Sequence, residues 1–326
     1  MQQTTVTPVE RAREMIDNVR QELGRRIVGQ QRMIDGLLTG ILAGGHVLLE
    51  GVPGLAKTLT VKSLAEVMDV SFRRIQFTPD LLPADLIGTM IFRQQTGEFV
   101  PRKGPVFSNI ILADEINRAP AKVQSALLEA MEERQVTIGD TSYPLSDPFF
   151  VLATQNPIEQ EGTYPLPEAQ LDRFMLKLSV DYPSLEEEKQ ILRRVGNPAP
   201  VDLERTLFRN DVVRLRETIA SITVDERIED YIVRIVTSTR EDPEHRKMGA
   251  LKYIEFGASP RATIYLYRCA RVRAVMEGRG YVIPEDVKAV APDVLRHRLV
   301  LSYEADSEDF TSEDVIEMLL SAVPVP

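Results

Sequence analysis

The sequence predicts an α/β fold with a parallel sheet, followed by a smaller helical domain. Short apolar runs alternate with helix-patterned stretches through the first half of the chain. One of those runs passes into a helix through the glycine-bearing octapeptide Gly51-Val52-Pro53-Gly54-Leu55-Ala56-Lys57-Thr58. Beyond Asp181-Tyr182-Pro183, which reads as a linker, helical periodicity dominates. The expected domains are therefore residues 1–183 and 184–326.

The elements follow in order. Thr7, Pro8 and Glu10 form a capping box with proline at the first helical position, and open a helix that runs to about Leu23. Ile27-Val28-Gly29-Gln30 interrupts the pattern, and a second amphipathic stretch leads to the apolar run from His46 to Glu50. Three more runs read as buried parallel strands: Arg74 to Phe77, Asn109 to Ala113 and Phe149 to Thr154. Two hairpins interrupt them. Thr89 to Phe92 and Glu98 to Val100 flank a Gln-Gln-Thr-Gly turn, and Gln135 to Ile138 pairs with Ser142 to Leu145 across Gly139-Asp140. Val123, Leu127, Ala130 and Met131 make a core-facing helix stripe. In the second half, Ser184 with Glu187 and Thr223 with Glu226 start helices, Ser259-Pro260 starts one that ends near Gly278, and Pro284 opens the next.

Composition bounds the function. Of 326 residues, 43% are hydrophobic and 27% charged, ordinary for a globular protein with room for two cores. No apolar run approaches a bilayer span and the N-terminal stretch carries no secretory segment, so a cytoplasmic location is expected. The single cysteine, Cys269, excludes an intrachain disulfide framework. His46, His245 and His297 lack partners at zinc-ligand spacing. A net charge of −10 argues against nucleic acid as a partner. Arg268, Arg271, Arg273 and Arg279 read as a solvated or ion-paired face rather than an anion site.

The octapeptide carries the chemistry. Strand, glycine turn and helix N-terminus aim backbone N–H groups and the positive end of the helix dipole at one point, an arrangement that suits phosphates. Lys57 can reach the β- and γ-phosphate oxygens, and the Thr58 hydroxyl can ligate Mg²⁺. Ala56 stands where a glycine usually precedes the lysine, which is tolerable if it already has helical dihedrals. Further on, Ile110 to Ala113 ends in Asp114 and Glu115. At the carboxyl edge of a buried strand, Asp114 can hold Mg²⁺ through water and Glu115 can polarise an attacking water. The plain alternatives are a Pro-Gly turn with a surface lysine, and a strand ending in solvated acids.

GVPGLAKT, IILADEINRAP, ATQNP, LPEAQLDRF and GASPR occur in the order and approximate spacing found in MoxR-type AAA+ ATPases, and the resemblance covers nearly the whole chain. The two hairpins resemble the helix-2 and pre-sensor-1 insertions of that AAA+ group. The resemblance implies an AAA+ P-loop domain with a helical lid, binding ATP and Mg²⁺ through Gly51, Val52, Pro53, Gly54, Leu55, Ala56, Lys57, Thr58 and Leu59. It implies that Asn156 acts as sensor 1, Arg173 as an arginine finger reaching a neighbouring subunit, and Arg261 as sensor 2, in its own or a neighbour's site. Val28 and Gly29 resemble the segment that packs on adenine. As plain residues, Asn156 is also a turn-former before Pro157, Arg173 a partner for Asp172 or Glu168, and Arg261 a solvent-facing helix residue.

The family further implies a homo-oligomeric ring, expected to be hexameric, doing chaperone-like remodelling, maturation or cofactor insertion in a protein client, typically one with a von Willebrand factor A domain. Two alternatives stand beside it: a metal-chelatase-type motor subunit, and a nucleotide-gated scaffold with negligible turnover. A DNA motor is disfavoured by the charge.

Overall fold

The structure, a computed structural model, describes residues 7–52, 54–156, 162–195, 201–240 and 249–326. In chain order its elements are α1 (Pro8–Arg26), α2 (Gln31–Ala43), β1 (Val47–Glu50), α3 (Lys57–Val67), β2 (Phe72–Gln76), α4 (Pro83–Ile87), β3 (Gly88–Arg93) and β4 (Glu98–Lys103). They continue with β5 (Ile110–Asp114), α5 (Ala121–Glu133), β6 (Gln135–Ile138), β7 (Thr141–Pro144), β8 (Phe150–Gln155), α6 (Glu168–Leu171) and β9 (Leu176–Ser179). The last set is α7 (Leu185–Val195), α8 (Arg209–Ala220), α9 (Glu226–Thr237), β10 (Ile254–Phe256), α10 (Pro260–Met276), α11 (Pro284–Leu295), β11 (Val300–Leu301), α12 (Tyr303–Ser307) and α13 (Ser312–Ala322).

Five strands form one sheet in the order β2-β5-β8-β1-β9. The pairs β2–β5, β5–β8 and β8–β1 are parallel. The central strands are apolar because both faces are covered: Val47, Leu48, Leu49, Ile110 to Ala113 and Phe150 to Ala153 are all buried. The edge strand β2 departs from the expected buried run, since Arg73, Arg74 and Gln76 are exposed and only Ile75 is buried. With a neighbour on one side only, it tolerates polar side chains. The fifth strand, β9, was not expected; four residues in a short apolar stretch give too little periodicity to separate strand from helix.

Both expected hairpins form, as β3–β4 and β6–β7. Gly88 starts the first at φ +102°, and a Cβ there would lie 2.2 Å from the Arg102 carbonyl oxygen, so no other residue fits. The Val123, Leu127, Ala130 and Met131 stripe of α5 is buried as expected.

The described chain divides into two compact units, one within 18–173 and 178–212, the other comprising 7–17, 174–177, 213–240 and 249–326. This differs from the expected division at 183/184. Residues after 183 stay with the sheet-bearing unit because Arg194 donates to the Gly24 carbonyl at 3.0 Å, and the Thr206 and Leu207 amides donate to the Val67 carbonyl at 3.0 and 3.2 Å. The change in periodicity at Ser184 coincides with the start of α7. In the second unit, Tyr231, Ile232 and Ile235 of α9 and Leu266, Cys269 and Val272 of α10 are buried. The cap of α9 is also two residues from the expected place. Asp225, not Thr223, accepts from the Arg227 amide, because the Thr223 backbone is committed to a bridge with Tyr281.

Candidate nucleotide-binding site

Parallel pairing brings the carboxyl ends of four strands to one edge: Glu50 lies beside Gln155, and Gln76 beside Asp114. A cavity of about 420 Å³ opens there, lined by residues 54–59, Arg74, Asp114, Glu115, Thr154, Gln155 and Asn156. The switch between strands leaving in opposite directions along the sheet is where α/β folds place ligands, and the volume suits a nucleotide-sized one.

The loop after β1 delivers α3 to this cavity N-terminus first. Among the described residues no side chain caps that helix, so its first amides are open to an anion. Gly54 has φ +88° with open space around it. Ala56 does not have the helical dihedrals expected of it: it is the N-cap, in the left-handed region at φ 55°. That conformation is disfavoured by about 1–2 kcal/mol in a residue with a Cβ, so the missing glycine leaves strain at the loop. Pro53 lies outside the described residues. The Lys57 ammonium donates to the Gly51 carbonyl at 2.5 Å. Burial lowers its pKa, against the raising effect of Asp114 and Glu115.

Asp114 and Glu115 are bound into a network whose other members the sequence did not single out. Asp114 Oδ1 accepts from the Thr154 hydroxyl at 2.6 Å, and that hydroxyl accepts from the Glu115 amide at 2.8 Å. Arg74 donates to Asp114 Oδ2. Glu115 has φ 56°, and its Oε2 accepts from Gln76 at 2.9 Å and lies 3.2 Å from Arg118 Nε. The Gln124 side-chain nitrogen lies within hydrogen-bond distance of the Ile116, Ala119 and Tyr164 carbonyls, holding the loop beyond Glu115. A usable sequence signal exists for Thr154, which is polar where the otherwise apolar β8 reaches the carboxyl edge; Gln76 stands in a strand already polar at Arg73 and Arg74.

The structure gathers Gly54 to Leu59, Asp114, Glu115 and Asn156 at one cavity, with Gly51 and Val52 leading into the loop. It does not bring the remaining candidates to that lining. Arg173 pairs with Glu132 at 3.0 Å, rather than the Asp172 or Glu168 weighed above. Arg261 follows the Ser259 cap of α10 in the other unit. Val28 and Gly29 precede α2, where Gly29 has φ +65° and a Cβ would meet Glu187 Oε1 at 2.2 Å. Arg273 and Arg279 are ion-paired with Glu277 and Asp286.

The Thr58 hydroxyl and the Asp114 carboxylate fit Mg²⁺, a hard cation that is commonly held by one or two protein oxygens together with phosphate and water.

The profile of the ATPase family associated with various cellular activities (AAA) matches residues 46–176, and that of the AAA lid domain matches residues 247–319. Chaperone MoxR1 of Mycobacterium tuberculosis is 53% identical over 94% of this chain and 81% of its own length. Protein MoxR of Methylorubrum extorquens is 32% identical over 94% and 93%. The chain belongs to the MoxR-type AAA+ ATPases. A crystal structure of a Cytophaga hutchinsonii protein, 54% identical, superposes with a TM-score of 0.92 over 98% of this chain and 97% of that one. For a MoxR-type protein the sheet-bearing unit is the AAA domain, and the matched lid segment falls in the helical unit.

Proposed function

We propose that this MoxR-type protein binds and hydrolyses ATP, and uses the cycle for chaperone-like remodelling of a protein client in the cytoplasm. The observation that carries the reading is the convergence of Lys57, Thr58, Asp114, Glu115 and Asn156 on one cavity at an open helix N-terminus. Lys57 neutralises phosphate charge, Glu115 accepts a proton from the attacking water, and Asn156 orients that water. Thr58 and Asp114 would hold Mg²⁺, which would supply neutralisation of phosphate charge when bound. Arg173 of a second copy meets charge developing on the γ-phosphate, an effect worth roughly 10³–10⁵ in kcat. This makes the working form a ring, taken as six copies, with Val28 and Gly29 against the adenine and Arg261 sensing the γ-phosphate. A relative named a chaperone supports remodelling as the output, and a client with a von Willebrand factor A domain is the expected type.

The test separates binding from turnover. Lys57→Ala loses ATP binding by calorimetry, whereas Glu115→Gln binds ATP and releases no phosphate; full turnover by Glu115→Gln removes the assignment. A scaffold with negligible turnover is the second reading, favoured by the engagement of Glu115 with Gln76 and Arg118. Steady-state phosphate release by the wild-type ring decides between the two.

A further inference from the structure

Arg74 lines the nucleotide cavity from the edge strand β2, with its side chain half exposed. Its Nη2 and Nε donate to the same oxygen, Asp114 Oδ2, at 2.6 and 3.0 Å. Nη2 also donates to Gln76 Oε1 at 2.9 Å. The sheet explains the reach. Gln76 is in register with Asp114, and Arg74, two residues back, is on the same face of β2. Asp114 is only 16% exposed, and its other oxygen is taken by Thr154. A carboxylate so placed needs a counter-charge, and here the chain supplies its own. A guanidinium and a divalent cation, whether held directly or through a water, repel each other when both engage that one carboxylate oxygen.

We propose that Arg74 is a positioning residue that serves as a built-in counter-ion at Asp114, and that its displacement sets the magnesium concentration at which the site loads. The inference rests on the nucleotide reading above. Arg74 holds the metal-free site in order, so that Asp114 turns to the metal only when the gain exceeds the loss of this ion pair.

Binding of a fluorescent ADP analogue to the full chain, titrated with Mg²⁺ and repeated in EDTA, tests this in the wild type, Arg74→Gln and Arg74→Lys. In Arg74→Gln the half-saturating Mg²⁺ concentration falls about fivefold relative to the wild type. Arg74→Lys, which keeps the charge without the fork, lies between them. The Arg74→Gln effect disappears on an Asp114→Asn background. An unaltered Mg²⁺ requirement with a lower melting temperature makes Arg74 a merely structural residue and overturns the proposal. Loss of affinity in EDTA makes it a phosphate ligand and overturns it equally. If the wild type bound no nucleotide under any condition, the function proposed above would fail, and Mn²⁺ alone, followed by electron paramagnetic resonance, would still decide: tighter binding by Arg74→Gln supports the counter-ion, and equal binding rejects it.

Discussion

The imidazole of His46 is buried just ahead of β1, between the Val151 amide, which donates to Nδ1 at 3.0 Å, and the Met131 carbonyl, 3.2 Å from Nε2. One nitrogen accepts and the other donates, so the ring is neutral in the fold. Burial pushes its pKa down to about 4 from 6.5, with Arg134 adding to the fall and the Met131 carbonyl opposing it. The unfolded chain therefore binds the extra proton first as pH falls. The stabilisation is complete above pH 6.5 and is lost on acidification through the interval down to about pH 4, a change on the order of 3 kcal/mol. Denaturant unfolding across that range should show the slope, and His46→Phe should flatten it; an identical slope in the variant would remove His46 as the cause. At this same scale, Lys57 and Thr58 stand at the start of α3, and Asp114, Glu115 and Asn156 at or just past the ends of β5 and β8, positions that local pattern reveals. The partners of Arg74, Gln76 and Thr154 were not legible, since they depend on cross-strand register: Gln76 opposite Asp114, and Ala113 opposite Ala153. Backbone conformation was also hidden at Ala56 and Glu115, whose left-handed φ angles follow from the turns on either side.

Among elements, the central strands and both hairpins were readable because apolar runs and turn residues are local signals. The edge character of β2, the existence of β9 and the cap of α9 were not, because each depends on what lies alongside. The α9 cap gives a direct comparison. Asp225 accepts from the Arg227 amide at 3.0 Å, while the Thr223 amide donates to the Gly280 carbonyl and its own carbonyl accepts from Val282. Asp225→Ala should therefore lower the urea midpoint, and Thr223→Ala, which leaves those backbone bonds intact, should lower it by less. Equilibrium urea denaturation of both variants checks the ranking, and the reverse order would return the cap to Thr223.

At the scale of the whole molecule, the compact units do not divide at 183/184, because the residues just after 183 change secondary structure before they change partners. The same scale holds the question of how many chains make one site. Arg173 is tied to Glu132 within the chain and is absent from the lining of the cavity that holds Lys57, so a finger role requires a second copy. The claim that hydrolysis occurs at a site shared between copies is tested most directly by mixing Lys57→Ala and Arg173→Ala proteins, each nearly inactive alone. A ring containing both has interfaces where an Arg173→Ala subunit offers an intact phosphate loop and its Lys57→Ala neighbour an intact arginine. Phosphate release should then return in part, rising and falling with the mixing ratio and requiring subunit exchange. A flat, near-zero rate in mixtures shown to contain both subunits in one assembly would contradict the shared site and leave Arg173 as the structural partner of Glu132.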